Sequence, residues 1–396
     1  MDNNLTFDFG VHNHLTADTL KRFLVWTLKN DVSDVLLQGG GRIFIEKHGR
    51  QHPMTTYAID PLELESVIDQ VFNPDVKTSL KMAKIVNTSL QLTGDMAGTL
   101  GLDRNERARF RANFTQATVY ETEAVMSLTM RVLKNQIPKL HTMGLPDVLV
   151  RSLFPASGLA FICGETGSGK STLMASINQH SGENFPDRKV ITGEDPIELI
   201  LGGPDWIAPE PAQSEMGRDF GTYADFIAYS ALRRSPKNID IGELLERFAY
   251  EAALTAGKTG HFCKGTMHVD TCGDAIQRAV LMFPFDARES IAYDTLKVLR
   301  YIIVQRLLRS TDGKRVAVRE YVIVDTQLRS HLLSKPYTQW GRTIDQLLLS
   351  QNRSLIQNAF RLYQDGIVSE EEMIEVAGYL DFLKLKEGTY AQESMA

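Results

Sequence analysis

The sequence predicts an α+β domain, then an α/β domain with a parallel sheet, and a helical region after them. Three observations predict this order. Apolar and polar residues alternate in strand-like runs before residue 135, strands and helices alternate from Leu145 onward, and a glycine-rich loop separates the first strand of that alternation from its first helix. We place the domains at 1–135 and 147–330, a linker rich in proline and glycine at 136–146, and the helical region at 331–396.

Composition excludes several classes of protein. The 396 residues are 43% apolar and 23% charged, which is ordinary for a soluble globular chain. The net charge of −6 and the lack of basic runs make nucleic acid an unlikely partner. The chain shows neither a signal peptide nor an apolar run near the roughly 18 residues that cross a bilayer. We therefore expect a cytoplasmic protein without a membrane span, which reaches a membrane only through partner proteins.

Two helices and a hairpin are predicted near the N-terminus. Thr16 can cap the first helix, and Asp60, followed by a proline, begins a second helix that runs to Phe72. Residues 34–38 and 42–46 read as strands joined by a turn of three glycines.

Two further strands carry a row of arginines. From 107 to 114 the apolar residues fall on one face, and Arg109 and Arg111 fall on the other. A second alternating run, 125–132, places Arg131 on one face with a serine and a threonine. From the pattern alone, the row of arginines could be a solvated polar face, and for Arg107 we prefer that interpretation.

The second domain is predicted to alternate strands and helices, with a helical end. The predicted strands are 159–163, 189–192, 238–242, 262–267 and 316–325. The predicted helices are 172–180, 222–234, 244–257 and 273–283, a long helix from Ser290 to about Arg309, and a helical region from Arg342 that is broken at Asp365-Gly366 and resumes at Ser369.

The glycine-rich loop matches the phosphate-loop pattern G-x-x-x-x-G-K-[ST] at every fixed position. Its glycines let backbone N–H groups turn inward onto a polyphosphate, its lysine can reach the β- and γ-phosphates, and its serine hydroxyl can bind Mg²⁺. The sequence therefore predicts a site for a nucleoside triphosphate and Mg²⁺. The candidate residues are Gly164, Glu165, Thr166, Gly167, Ser168, Gly169, Lys170, Ser171 and Thr172.

Two carboxylates follow predicted strands of the same sheet. Glu194 comes just after strand 189–192, in the segment T-G-E-D-P-I-E, and Glu243 ends strand 238–242 as Gly-Glu, the form of a Walker B element. Ligands bind at the carboxyl ends of strands in open α/β sheets, where such groups can orient water or hold Mg²⁺. Each alone is more often a solvated loop residue, but their order after the phosphate loop favours a catalytic role.

Two histidines lie seven residues apart in the segment T-G-H-F-C-K-G-T-M-H. An imidazole at a strand end can donate to a γ-phosphate, and His261 and His268 are both candidates for contact with the nucleotide. For His261 a structural role is equally compatible with the pattern.

These motifs, in this order and spacing, resemble the type II/type IV secretion-system traffic ATPases. The phosphate loop, the acidic box, the Gly-Glu element and the histidine box look most like the PilT-like branch, and within it the Dot/Icm secretion ATPase and the TraJ-type ATPases of IncI-plasmid conjugation. Residues 109–113, R-F-R-A-N, resemble a strand of the family's first domain, and 305–307, Q-R-L, match a helix after the histidine box.

The resemblance implies a fold, an assembly and a set of residue roles. It implies a PAS-like first domain, a RecA-like second domain and a homohexameric ring that works with secretion or conjugation apparatus proteins at the cytoplasmic face of the inner membrane. The nucleotide would be ATP. Lys170 and Ser171 would bind phosphate and Mg²⁺, Glu194 would be the base, Glu243 the Walker B acid and His268 the sensor of the γ-phosphate. The arginine-finger candidates are Arg109, Arg111 and Arg131.

The sequence departs from the family pattern at two places. Leu245 stands where the family has an arginine, and Asp240 interrupts a strand that is normally apolar. Since an unpaired buried carboxylate is costly, Asp240 must be partnered or the strand must be shifted. The main hypothesis is a motor ATPase. The alternative is a hexameric adaptor that binds ATP as an assembly switch and hydrolyses it weakly.

Overall fold

The computed structural model describes the chain over residues 5–10, 14–72, 75–104, 106–133 and 136–391. The chain divides into two units, Met1–Gln136 and Ile137–Ala396, each with its own sheet and hydrophobic core. Asn135, where we expect the first domain to end, lies outside the described residues, as do the last five residues of the predicted helical region.

The first unit is built on an antiparallel sheet of six strands. They are β1 (Asp34–Gln38), β2 (Phe44–Lys47), β3 (Arg50–Pro53), β4 (Val86–Thr93), β5 (Arg107–Val119) and β6 (Thr122–Leu133). Their order in the sheet is β3-β2-β1-β6-β5-β4, and every neighbouring pair is antiparallel. The sequence predicts β1, β2, β5 and β6 but not β3 or β4, whose apolar alternation is weak.

Three helices pack their apolar sides against this sheet: α1 (Ala17–Lys29), α2 (Pro61–Val71) and α3 (Asp75–Lys81). The predicted caps are present, since Thr16 Oγ1 accepts a hydrogen bond from the Thr19 N–H at 3.1 Å and Asp60 accepts two at the start of α2. On β5, Phe110 and Phe114 are fully buried and the arginines face the other way, as the alternation predicts. The unit has the predicted α+β class.

The second unit is built on a sheet of seven strands. They are β7 (Gly158–Cys163), β8 (Val190–Glu194), β9 (Ala212–Glu215), β10 (Asn238–Ile241), β11 (Phe262–Met267), β12 (Leu299–Arg309) and β13 (Arg315–Ile323). Their order is β13-β12-β7-β11-β10-β8-β9, and only the pairing of β12 with β13 is antiparallel. The carboxyl ends of β7, β11, β10 and β8 therefore meet at one edge of the sheet, where nucleotide sites of open α/β sheets lie.

Helices cover both faces of this sheet and form the end of the chain. They are α4 (Asp147–Ser152), α5 (Lys170–Asn184), α6 (Tyr223–Asp225), α7 (Arg247–Lys258), α8 (Cys272–Leu281), α9 (Arg288–Val298), α10 (Thr326–Leu333), α11 (Trp340–Ser350), α12 (Leu355–Gln364), α13 (Glu370–Ala377) and α14 (Tyr379–Glu387). Ser369 caps α13, as predicted. Within the described residues, no helix is long and apolar enough to cross a membrane.

The predicted long helix from Ser290 to Arg309 is wrong in its second half. Helix α9 ends at Val298, and β12 begins at the next residue. The run Tyr301–Val304 is buried on both sides between β7 and β13, so its apolar pattern has no period that distinguishes strand from helix. Gln305, Arg306 and Leu307, which the resemblance assigns to a helix, therefore lie on this strand.

The predicted helix 222–234 is a composite. Helix α6 passes into a π-helix at Phe226–Ser230 and then a 3₁₀ turn at Ala231–Arg234. The helical pitch therefore changes twice along this segment. The segment lies against the ends of β8 and β10, since Phe226 contacts Gly193 and Tyr223 contacts Gly242.

Candidate nucleotide-binding and hydrolysis site

The phosphate loop connects the central strand β7 to helix α5. Gly164, Gly167 and Gly169 have φ angles of 138°, 79° and 83°, in the region that residues with a Cβ atom rarely adopt. Helix α5 begins at Lys170, so its first turn, with Ser171 and Thr172, faces the loop. Backbone N–H groups at a helix N-terminus favour an anion such as phosphate.

Gln305 on the neighbouring strand β12 contacts the phosphate loop. Its Nε2 donates a hydrogen bond to the carbonyl oxygen of Ser168 at 2.5 Å, and its Oε1 accepts one from Nε of Arg319 at 2.6 Å. A Cβ atom on Gly169 would lie 2.8 Å from this Nε2, and one on Gly164 would lie 2.2 Å from the Gln305 carbonyl oxygen. The neighbouring strand therefore fixes the loop's path.

Lys170 is buried inside the loop. Its Nζ donates to the carbonyl oxygens of Gly164 and Glu165, each at 2.8 Å. Burial lowers the pKa of Lys170, and the carboxylate of Glu243 opposes that shift. Arg306 on β12 contacts Glu165 of the loop, with Nε 3.0 Å from Oε1. The loop thus holds a positive charge where phosphates would bind.

Glu194 ends β8 in a partly buried position. Its Oε1 accepts hydrogen bonds from Thr192 Oγ1 at 2.6 Å and from Gln213 Nε2 at 3.0 Å. Burial raises the pKa of Glu194 to about 7, although these two hydrogen bonds act in the opposite direction. A carboxyl group with this pKa can accept and release a proton near neutral pH.

The Gly-Glu element at the end of β10 lies directly beside Glu194. The Gly242 N–H donates to the Gly193 carbonyl oxygen at 2.7 Å, and a Cβ on Gly242 would be 3.2 Å from Cα of Glu194. Beyond this turn, Oε1 of Glu243 lies 3.5 Å from Nε2 of His268, which follows β11. The structure therefore brings Glu194, Glu243 and His268 to the same edge of the sheet as the phosphate loop.

Asp240 is partnered, and β10 is not shifted. Its Oδ1 lies 2.8 Å from Nζ of Lys264 on β11, and its Oδ2 accepts a hydrogen bond from Nδ2 of Asn178 at 2.5 Å. The Lys264 ammonium also donates to Asn178 Oδ1 at 3.1 Å. This buried triad, Asn178–Asp240–Lys264, gives the carboxylate an ion pair and one hydrogen bond, and it ties α5 to β10 and β11.

His261 is not brought to the phosphate loop. It precedes β11, and its carbonyl oxygen accepts from the N–H of Gly158 at the start of β7, whereas the loop follows the other end of β7. Six strand residues of about 3.3 Å each place it roughly 20 Å from the loop. Within one chain, His261 therefore lies at the opposite edge of the sheet, because the histidine box spans the whole of β11.

The three candidate arginines lie on neighbouring strands of the first unit. Arg109 and Arg111 are on β5, and Arg111 is opposite Arg131 of β6. Arg131 Nε donates to Oδ1 of Asp34 on β1 at 3.0 Å, so its charge is already paired. Among the described residues Arg111 makes no ion pair of this kind, which makes it a better candidate than Arg131 for meeting an anion.

The residues suit a nucleotide with Mg²⁺, because the phosphate loop combines inward-turned backbone, a buried lysine and the hydroxyl of Ser171. Among the described residues, no group of three histidine, cysteine or carboxylate side chains could hold a metal alone. Ser171 and Glu243 would therefore share Mg²⁺ with phosphate oxygens and water, as is usual for this ion.

Sequence reasoning missed several residues that shape the site. Gln213 lies on β9, a strand without apolar alternation, so no pattern identifies it. Lys264 lies inside the histidine box, and an acid and a base at matching positions of two neighbouring strands are the signal that identifies it. Gln305 is concealed by the wrong helix assignment, and Tyr223 by its position in a predicted helix.

Comparison with known proteins identifies the family. The sequence model of the type II/IV secretion system protein family matches residues 18–341. The chain belongs to this family. The type IV pilus ATPase PilU of Pseudomonas aeruginosa is 26% identical, over 89% of this chain and 87% of that protein.

Solved structures of the family have the same fold. The ATPase DotB of Legionella pneumophila is 31% identical, with a TM-score of 0.82 over 93% of this chain and 97% of that chain. The pilus retraction motor PilT, solved with bound ADP, is 27% identical, with a TM-score of 0.71 over 91% and 97%. These similarities confirm the predicted PilT-like branch and the fold class, an α+β N-terminal domain followed by a RecA-like ATPase domain and a helical C-terminal part.

Proposed function

We propose that this type II/IV secretion family member is a ring-forming motor that hydrolyses ATP to power a type IV secretion, conjugation or pilus-like machine. The observation that carries the proposal is the meeting of Lys170, Glu194 and Glu243 at one edge of a parallel sheet. A phosphate-binding lysine and two carboxylates at strand ends are the groups that ATP hydrolysis requires. The names of the relatives, which are ATPases of secretion and pilus systems, support it.

In this proposal each side chain has one task. Lys170 binds the β- and γ-phosphates, and Ser171 and Glu243 hold Mg²⁺, which neutralises phosphate charge. Glu194 orients the attacking water and accepts its proton, a task that its pKa of about 7 suits. His268, beside Glu243, donates to the γ-phosphate. Arg109, Arg111 and Arg131 remain the candidates for neutralising charge on the phosphoryl group.

The assembly and its partners are part of the same proposal. A homohexamer would let hydrolysis at one site strain its neighbours and so produce movement. The ring would dock on secretion or conjugation apparatus proteins at the cytoplasmic face of the inner membrane.

A second candidate function is an adaptor that uses ATP binding as an assembly switch and hydrolyses it weakly. Leu245 favours it, because this exposed leucine stands where the family has an arginine after the Gly-Glu element. Asp240 does not favour it, since Lys264 pairs with the charge of the carboxylate and Asn178 donates a hydrogen bond to it.

Steady-state phosphate release by the purified full-length protein separates the two candidates. We expect Lys170→Ala to fall below about a tenth of the wild-type rate, because a direct phosphate contact contributes several kcal/mol to the transition state. Lys258→Ala is the matched control, since it removes a lysine that is paired with Asp294 outside the site. If the wild type releases phosphate no faster than Lys170→Ala, the adaptor is favoured. Light scattering, which measures the mass of the assembly in solution, would test the hexamer.

A further inference from the structure

Tyr223 covers the ends of the two strands that carry Glu194 and Glu243. It is the first residue of α6, which Thr222 caps by accepting a hydrogen bond from the Asp225 N–H at 3.1 Å. A Cβ atom on Gly242 would lie 2.7 Å from the hydroxyl oxygen of Tyr223. The phenol hydroxyl is therefore against the turn that leads into Glu243, on the side where that turn contacts the backbone of Glu194.

Aromatic packing holds this side chain in place. The ring of Phe220 lies 5.5 Å from that of Tyr223 and 4.8 Å from that of Phe226. Phe226 in turn lies over Gly193, where a Cβ atom would be 2.7 Å from the ring. The π-helix that begins at Phe226 directly follows α6, and single π-turns are frequent at functional sites. The packing fixes Tyr223 over the strand ends.

The hydroxyl of Tyr223 is buried and makes no hydrogen bond of normal geometry with the part of the chain that the structure describes. Burial raises the pKa of Tyr223, and the negative charges of Asp195, Glu243 and Glu194 add to this, against a weaker contact with the Glu243 backbone. A phenol carries its proton at neutral pH, so this hydroxyl can donate a hydrogen bond to a neighbouring carboxylate. A phenylalanine would fill the same space without burying an unsatisfied hydroxyl, so folding alone does not explain the tyrosine.

We propose that Tyr223 is a positioning residue of the hydrolysis site, whose hydroxyl donates its one hydrogen bond to the carboxylate of Glu194 or of Glu243 during turnover and fixes the position of that carboxylate. This inference rests on the proposed ATPase function. It assigns to the segment before the π-helix a task that none of the four sequence motifs contains.

The test compares Tyr223→Phe with the wild type in phosphate release, ATP affinity and thermal unfolding. We expect kcat to fall about tenfold or more, by analogy with the loss of one preorganised donor. We expect KM for ATP to stay within about twofold and Tm to be unchanged or higher, because the variant removes an unsatisfied buried hydroxyl. Tyr229→Phe is the matched control, since that hydroxyl belongs to an exposed side chain of the adjoining π-helix.

Several outcomes would overturn the inference. Wild-type kcat in Tyr223→Phe would show that the hydroxyl has no part in turnover, and a lower kcat accompanied by a lower Tm would show a structural role. Gly242→Ala adds a check, because its Cβ would displace the hydroxyl; its effect should shrink in the Tyr223→Phe background, and full additivity would contradict us. If the wild type itself does not hydrolyse ATP, the proposed function fails instead.

Discussion

Strands β10 and β11 are linked by two acid–base pairs that differ in almost every physical respect. The first pair, Asp240 with Lys264, lies inside the sheet at 2.8 Å, with side chains that are 0% and 1% exposed. The second, Glu243 with His268, lies just beyond the strand ends at 3.5 Å, with side chains that are 45% and 36% exposed. The two acids are only three positions apart along the chain.

The difference shows which charges belong to the fold and which are available for chemistry. A buried pair stays closed, because separating it would leave an unsolvated charge, and a third group, Asn178, bonds both partners. The exposed pair is held weakly, since water competes for both groups. Under the proposed function, Glu243 and His268 would give up their contact with each other for Mg²⁺ and phosphate at little cost, whereas separating Asp240 from Lys264 would be costly.

The arginines of the first unit give the largest expected effect and extend the comparison to a pair of intermediate exposure. Arg131 is half-exposed and its Nε lies 3.0 Å from Oδ1 of Asp34, while Arg111, on the neighbouring strand, makes no such pair within the described ranges. We expect Arg111→Ala to lower turnover by roughly 10³-fold or more, as for arginine fingers in general, and Arg131→Ala to lower it much less. The rate of phosphate release measures the turnover of each variant, and ATP binding serves as the control that the nucleotide site is intact. Equal rates in both variants and the wild type would make the arginines surface charges.

Breaking the buried pair should produce the largest loss of stability. Lys264→Met leaves Asp240 as an uncompensated buried carboxylate, which should lower the free energy of unfolding by about 3–5 kcal/mol. The double variant Asp240→Leu/Lys264→Met should recover most of it, because apolar replacement of both partners is often neutral. Denaturant titration measures both, with Lys258→Ala as the control for an exposed pair. A double variant as unstable as the single one would contradict this account.

Glu194 should show its role through pH. Since its pKa is about 7, the carboxyl is protonated below that pH and cannot accept a proton from water, so kcat/KM should fall as pH falls through 7. Glu194→Gln should bind ATP with Mg²⁺ but lose at least about 100-fold in turnover. Glu243→Gln should instead weaken the Mg²⁺ dependence. Identical metal titrations in the two variants would refute this division of tasks.

The same shift has a consequence for stability with the opposite sign. The folded chain holds the Glu194 proton to higher pH than the unfolded chain does, so this group's contribution to stability is present at acid pH and declines as pH rises through 7. Glu194→Gln should flatten that part of the unfolding profile. If the free energy of unfolding has the same slope against pH in Glu194→Gln and in the wild type between pH 5 and pH 8, the pKa of Glu194 is not raised above the usual range of glutamate.

The exposed pair should give the smallest effect on stability. His268→Gln removes only a solvated contact with Glu243, so the free energy of unfolding should change by less than about 1 kcal/mol. Turnover should nevertheless fall if His268 donates to the γ-phosphate. Thermal unfolding and phosphate release, measured on the same preparation, separate these effects. A large loss of stability would mean that the pair behaves like Asp240 and Lys264.

Sequence alone predicted the parts of this site that lie next to each other along the chain. The phosphate loop is a continuous pattern, and β5 alternates so regularly that its buried and arginine faces are both predicted. The sequence predicts Glu194 and Glu243 as site candidates because each lies at the end of a predicted strand, and the carboxyl ends of parallel strands share one edge of the sheet.

The rest depends on strand register, which a sequence does not display. Asp240 looked unpaired because Lys264 is 24 positions away and becomes its neighbour only when β10 pairs with β11. Strand β12 was mistaken for helix because a strand that is buried on both faces has no alternation. His261 and His268 are both candidates in the sequence, with a structural role equally open for His261, and β11 places them at opposite edges of the sheet.

The phosphate loop of this chain depends on Gln305, so we expect it to lose its conformation when it is grafted alone onto another protein. The amide and carbonyl groups of Gln305 occupy the space that side chains at Gly169 and Gly164 would need, although about 140 positions separate this residue from the loop. A designer who moves residues 164–171 onto another scaffold would have to supply the same amide from a neighbouring strand. Protein engineers should therefore treat the loop and that one glutamine as a single component, to be exchanged together or left in place.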